Sequence, residues 1–228
     1  LMFGYDQKVA LVVAAHADDE ALGVGGTMRR LATDGWDVHV LALTFADSQR
    51  RGSVAKQMDM AHAATRLLGV KSMEWAGYID TQLATVGVAT VTNIVRSAIR
   101  TYQPSVVFST FMHDLHGDHR VAGEATSVAT RLHWWQQELE DSVRMWLMYE
   151  IIGNTNLSVG WPFVPSLYVD ISGAPFDEKM TALAEYPTEM NDWPHARSIR
   201  AVEHLAHVRG AQAGVDAAEA FQIARCIV

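Results

Sequence analysis

The chain has 228 residues, enough for one domain with a sizeable core, and 49% of them are apolar. Charged residues make up 19% and there is no low-complexity tract, so the composition excludes disorder. The formal charge of −8 argues against non-specific binding to nucleic acid or to an anionic membrane surface, since both need a basic face, though it leaves room for a local basic pocket.

Val9–Ala15, uniformly apolar between Lys8 and His16, reads as a buried strand. It is far too short to span a bilayer and lacks the cleavage pattern of a signal peptide, so a soluble, cytoplasmic protein is the expectation. Asp19 to Thr33 has helical spacing through Leu22, Met28 and Leu31, stopped by Asp34-Gly35. Asp37–Leu43 is the next strand. A polar loop from Ala46 to Ser53, with Arg50 and Arg51, leads to a helix over Val54–Leu68 closed by Gly69.

Ser72–Trp75 reads as a short strand, and Val86–Tyr102 as a helix by its stripe of Val91, Ile94, Val95, Ala98 and Ile99. Gln103-Pro104 ends that helix. A strand over Ser105–Ser109 and a helix from His119 to about His133 follow. Val143–Ile152 and Leu167–Ile171 read as strands, Pro175–Tyr186 and His195–Val208 as helices, and Phe221–Ile227 as an edge strand. Cys226, the lone cysteine, reads as a small apolar residue in that strand. Strand and helix alternate, with no repeat and no dividing linker. This predicts one α/β domain over residues 1–228: a mostly parallel sheet with helices on both faces, and ligands at the carboxyl ends of the strands.

Two clusters fall at such ends. His16-Ala17-Asp18-Asp19-Glu20 follows the first strand, and His113-Asp114-Leu115-His116-Gly117-Asp118-His119 follows Ser105–Ser109. Together they could supply a His/Asp/His set with one open coordination position, as in a catalytic zinc site. Such a site also needs a base for the water proton. Adjacent Asp18 and Asp19 at a strand–helix turn point in different directions, so one can ligate while the other serves as base. A second imidazole can stabilise the oxyanion, a role open to His116 if His119 is the ligand. Helix capping by Asp18, Asp19 or Asp118 is the competing reading for each residue singly, but capping needs no histidine.

These residues resemble the PIG-L/LmbE-like deacetylase family. Its first motif, usually His-Pro-Asp-Asp-Glu before a Gly-Gly pair, is here His16-Ala17-Asp18-Asp19-Glu20 with Gly25-Gly26; its His-x-Asp-His motif is His116-Gly117-Asp118-His119. Leu68-Gly69-Val70, Arg209-Gly210 and Ala218-Glu219-Ala220-Phe221 extend the similarity. The resemblance implies a Rossmann-like fold and hydrolysis of an acetamido group, commonly on N-acetylglucosamine in a small-molecule sugar or glycoconjugate. It implies His16, Asp19 and His119 as ligands to Zn2+, or to iron, which the same donors suit. It also implies Asp18 as general base, His116 as oxyanion stabiliser and Asp118 as a residue orienting a histidine. Ala17 replaces the usual proline, and Gln57 and Met60 stand where the family often carries an Arg-x-x-Glu pair, which leaves the substrate open. So are two other readings: cleavage of a larger amide such as a thiol conjugate, and a non-catalytic nucleotide-binding module. No membrane span is expected; homo-oligomerisation is left open.

Gly23, Gly25 and Gly26 are read as helix–sheet packing positions, because the acidic loop before them would repel a pyrophosphate. His133-Trp134-Trp135, Trp161-Pro162-Phe163 and Trp193-Pro194-His195 are candidate sugar platforms, best within the Gly153–Pro165 loop. Arg50 and Arg51 would lie on the metal's face of the sheet. His39, His62, His204 and His207 are read as surface or packing residues.

Overall fold

The computed structural model describes residues 5–46, 52–131 and 143–227. Chain order is β1 (Val9–Ala14), α1 (Asp19–Thr33), β2 (Asp37–Phe45), α2 (Val54–Leu67), β3 (Ser72–Ile79), α3 (Leu83–Val86), α4 (Val88–Tyr102), β4 (Val106–Thr110), α5 (Gly117–Ala129), β5 (Met145–Tyr149), β6 (Leu167–Asp170), α6 (Ala174–Ala184), α7 (Ile199–Ala213) and β7 (Ala218–Cys226). The seven strands form one sheet in the order β3-β2-β1-β4-β5-β7-β6. β1 to β5 run parallel, and β7 is antiparallel to both its neighbours.

Successive residues of β1 feed two cores. Ala10 and Val12 pack under α1, α2, α6 and α7, whereas Leu11 and Val13 pack under α4 and α5. Burial on both faces is why this strand is apolar throughout rather than alternating. Local signals set the helix ends. Ser53 Oγ accepts from Lys56 N at 3.2 Å and Ser198 Oγ from Ala201 N at 3.1 Å, each capping its helix. Among the described residues, no helix is long and apolar enough to cross a membrane.

Several expected elements shift. β3 extends to Ile79, because pairing with β2 continues past Trp75 through an irregularity near Ala42. The helix expected over Val86–Tyr102 divides at Gly87, whose φ of 87° ends α3 and starts α4. The strand expected over Val143–Ile152 is confined to Met145–Tyr149, and the helix expected from His195 starts at Ile199, after the Ser198 cap. The end of the helix expected near His133 lies outside the described residues. The tail strand is not an edge. Ala218–Phe221 pairs with β6 and Phe221–Cys226 with β5, so β3 and β6 form the edges. Strand periodicity carries no information about neighbours, which is why the sequence misplaced it.

The glycine-bearing face of α1 is a contact surface. A side chain at Gly23 would overlap the Tyr149 ring, and a Cβ at Gly26 would lie 2.7 Å from Ile171 Cδ1. Through this bared backbone Gly26 N and Thr27 N donate to Glu219 at 2.9 and 2.8 Å, while Lys179 Nζ donates to Leu22 O at 2.8 Å and to Glu219 at 2.5 Å. The ion pair is buried and fully engaged, the condition under which a buried pair is tolerated. Gly26→Val should therefore lose about 2 kcal/mol or more of stability through overpacking. Urea unfolding that left the midpoint in place would contradict this packing role.

Candidate active site and metal centre

β1 and β4 are adjacent and parallel, while the chain leaves β1 toward β2 and β3 on the other side. This is the switch point of the sheet, where the segments leaving neighbouring strands diverge and open a crevice. His16–Glu20 leaves β1 there, Phe111–His119 leaves β4, and Asp80-Thr81 enters from the end of β3.

One Asp19 oxygen gathers three groups. Oδ2 accepts from His16 N at 2.9 Å and lies 3.2 Å from His16 Nδ1 and 3.3 Å from His119 Nε2, and the two ring nitrogens are 3.3 Å apart. Asp19 and His119 are fully buried. Two imidazole nitrogens and a carboxylate oxygen facing one another at this range are held together either by N–H protons or by a metal ion. A tetrahedral ion bonded at about 2.0–2.1 Å requires ligand atoms roughly 3.3–3.4 Å apart, so the triangle has the size of a zinc site. His116 brings a third imidazole within 4.8 Å of those of His16 and His119. His16, Asp80 and Asp118 form a second group of that span, but both Asp118 oxygens already accept backbone N–H groups, from Thr81 at 2.7 Å and Leu83 at 3.1 Å. The Asp19 triangle is therefore the stronger candidate.

The outward nitrogens of both histidines meet carboxylates. His16 Nε2 lies 3.0 Å from Asp80 Oδ1 and 3.4 Å from Asp118 Oδ2, and His119 Nδ1 lies 3.1 Å from Asp114 Oδ1. Carboxylates in this position fix the ring and raise its basicity as a ligand. Burial by itself would lower the His119 pKa, but the Asp19 charge and the Asp114 contact override it and raise it to about 8. His16 is likewise raised well above its usual value against its burial, chiefly by Asp19. Burial favours the neutral form of Asp19, and the two histidines reverse this, holding its pKa well below the usual range.

Asp18, adjacent to Asp19, has its carboxylate bonded to Arg197. Its backbone has φ 121° and ψ −29°, a strained conformation for a non-glycine residue, and its side chain does not cap α1. Asp18 N donates to Glu20 Oε2 at 3.0 Å, and Tyr186 OH donates to Glu20 Oε1. Burial raises Glu20 to about 7. Arg197 Nη1 bonds Asp18 Oδ2 at 2.5 Å, and its Nη2 lies 4.0 Å from Asp19 Oδ1. His116 caps α5 itself, its Nδ1 accepting from Asp118 N at 3.2 Å, so Asp118 is not the cap. Burial and then the neighbouring His16 lower the His116 pKa.

The six residues singled out in the sequence thus converge. Asp80, Arg197 and Tyr186 were missed: Asp80 stands alone at a strand end, and Arg197 and Tyr186 lie in a later segment with no motif. Asp114 was visible in its cluster but without a role. A cavity of about 200 Å³ opens over the triangle, lined by His16, Asp18, Asp80, His116, Tyr186 and Arg197 among others. Gln57 is on its wall but is held there, bonded to Ala46 and Gly52 backbone groups. Trp161 and Trp193 are exposed and outside the lining. Trp193 packs with Arg200 and His204. His39 is buried and bonded to Ser72, and His207 meets Asp216. Arg50, Arg51, His133, Trp134 and Trp135 lie outside the described residues.

Residues 11–130 match the PIG-L family, described as GlcNAc-PI de-N-acetylase. The diacetylchitobiose deacetylase of Thermococcus kodakarensis is 27% identical over 216 residues, covering 85% of this chain and 77% of that protein. A Bacillus cereus protein named "Probable N-acetyl-alpha-D-glucosaminyl L-malate deacetylase 2" is 26% identical over 195 residues, covering 80% and 84%. Among solved structures, the conserved protein TT1542 from Thermus thermophilus superimposes with a TM-score of 0.78 at 27% identity, over 96% of both chains. The matched stretch spans more than half of the sequence and contains both histidine-and-aspartate segments, and on that ground this chain belongs to the PIG-L family.

Proposed function

We propose that the protein hydrolyses the acetamido group of an N-acetylated amino sugar, free or conjugated, giving acetate and the free amine. The observation that carries this reading is the His16–Asp19–His119 triangle of 3.2–3.3 Å edges beneath an open cavity, with a separate carboxylate beside it. The family membership and the deacetylase names of the relatives support the acetyl group and the sugar. These donors suit zinc, with iron as the alternative.

When bound by His16, Asp19 and His119, zinc supplies Lewis acidity, bringing the pKa of water toward about 7 and polarising the amide carbonyl. Asp18 takes the proton of the attacking water and passes it to the sugar nitrogen as the C–N bond breaks. Arg197 bonds the Asp18 carboxylate and fixes its direction. The Glu20–Asp18 N bond holds the strained turn that aims Asp18 at the cavity. His116 accepts the Asp118 N–H at Nδ1, so its proton sits on Nε2, where it can donate to the carbonyl oxygen as that oxygen gains charge. Asp80, Asp114 and Asp118 hold the imidazoles of His16 and His119 in register.

Asp18→Asn should retain about one zinc per chain while acetate release from N-acetylglucosamine derivatives falls roughly a thousandfold. His119→Ala should lose both the metal and the activity. Elemental analysis beside an acetate assay reads both. A fully active Asp18→Asn enzyme would remove the base from this scheme, and a wild type that neither carries nor takes up zinc or iron would end the hydrolase reading.

Zinc binding should also depend on pH in a defined direction. His119 ligates only as the neutral imidazole, and without a cation in the triangle its pKa is about 8. Zinc affinity should therefore fall as the pH drops through 8, with protons released on binding, as calorimetry in buffers of different ionisation heat would show. Stability of the metal-free protein runs the other way. The folded pKa lies above the unfolded value of about 6.5, so this stabilisation is full below that pH and is lost as the pH rises through 8. The melting temperature without zinc should drop over that interval and recover when zinc is added.

A further inference from the structure

The cavity over the triangle, at about 200 Å³, is smaller than the roughly 300–1,000 Å³ of pockets that enclose a drug-sized ligand. It has room for one sugar ring, so whatever that ring is linked to must lie on the rim. One side of the rim is built by two segments fastened together: Phe111–Gly117, which carries Asp114 and His116, and the loop from Gly153 to Pro165. Asn154 of that loop lines the cavity, and Thr155 Oγ1 donates to Asp114 Oδ2. Further along, Trp161 stacks on His113 with centroids 5.2 Å apart and planes 20° apart. His113 in turn meets the edge of buried Phe111, against which Phe163 also packs. Val164 N donates to Gln222 Oε1 at 3.0 Å and fixes the far end of the loop.

Trp161 is nevertheless 67% exposed. Its indole stacks on His113, which is backed by Phe111, while most of the side chain stays in solvent. The His113 beneath it belongs to the same short segment as the His116 that lines the cavity. Trp193, the other exposed tryptophan among the described residues, is engaged by the Arg200 guanidinium and by His204.

We propose that Trp161 is the platform of a second subsite, which takes a pyranose ring linked to the reacting N-acetyl sugar. The C–H face of a pyranose carries the partial positive charge that an indole face attracts, and a ring held flat by His113 loses little entropy on stacking. Asn154, at the start of the same loop, lines the cavity, so the loop that carries Trp161 begins at the wall of the first subsite. This inference rests on the deacetylase reading for the occupant of the first subsite.

The test compares kcat/KM for N,N′-diacetylchitobiose and for N-acetylglucosamine in the zinc-loaded wild type, Trp161→Ala and Trp161→Phe. The disaccharide-to-monosaccharide ratio should fall about fivefold to tenfold in Trp161→Ala, through KM, and be largely kept in Trp161→Phe. Calorimetric binding of N,N′-diacetylchitobiose to the metal-free proteins should show the same order without turnover. A ratio and an affinity indifferent to Trp161, or lost equally in both variants, would overturn the platform. Trp161-dependent binding without acetate release from either sugar would instead sink the hydrolase reading and leave the subsite standing.

Discussion

A single carboxylate oxygen of Asp19 faces the His16 backbone amide and the rings of both His16 and His119, and the surrounding structure serves to keep those groups in place. Two imidazoles and a carboxylate packed this closely repel or attract according to what lies between them, and burial makes either effect large. Carboxylates stand behind each ring, Asp80 and Asp118 within 3.0–3.4 Å of His16 Nε2 and Asp114 3.1 Å from His119 Nδ1. Those carboxylates are themselves tied to backbone or side-chain donors: Asp118 to Thr81 and Leu83, Asp114 to His116 N and Thr155. The result is a preformed ring of donors of the size that a bound cation would need.

The scaffold transmits the same rigidity to the first helix. α1 begins at Asp19, so any sliding of α1 would displace the triangle. Its glycines let Tyr149 and Ile171 approach the backbone, and Glu219 and Lys179 bond directly to it. Tyr149 also donates to Val13 O, tying β5 to the end of the strand that carries His16. Packing that in sequence looks like a glycine-rich loop is thus what locks the register of helix against sheet, and through it the position of Asp18 and Asp19.

The chain beyond Arg131 completes the site from outside the stretch that carries the family motifs. Arg197 faces Asp18, and Tyr186 holds Glu20, which holds the Asp18 amide. A strained residue such as Asp18 persists only where its surroundings over-determine it, and here a guanidinium on its side chain and a carboxylate on its backbone amide do so. Arg197 adds positive charge to the acid-rich turn after β1, its guanidinium lying 4.0 Å from Asp19 as well as on Asp18.

The sequence by itself determined the class of fold and the order of strands and helices through most of the chain, and it singled out six residues, His16, Asp18, Asp19, His116, Asp118 and His119, that the fold gathers in one crevice. These depend on local periodicity and on residues a few positions apart, which a linear reading captures. It also assigned the glycines of α1 to packing, because an acidic loop is the wrong electrostatic partner for a phosphate. Only the tertiary structure decided that Asp80 and Asp114 back the two histidines, that Arg197 and Tyr186 reach Asp18 and Glu20, and that β7 lies inside the sheet. The physical reason is the same in each case. A lone aspartate at a strand end, an arginine in a turn or a strand without a named neighbour acquires meaning only from partners far along the chain, and periodicity holds no record of them.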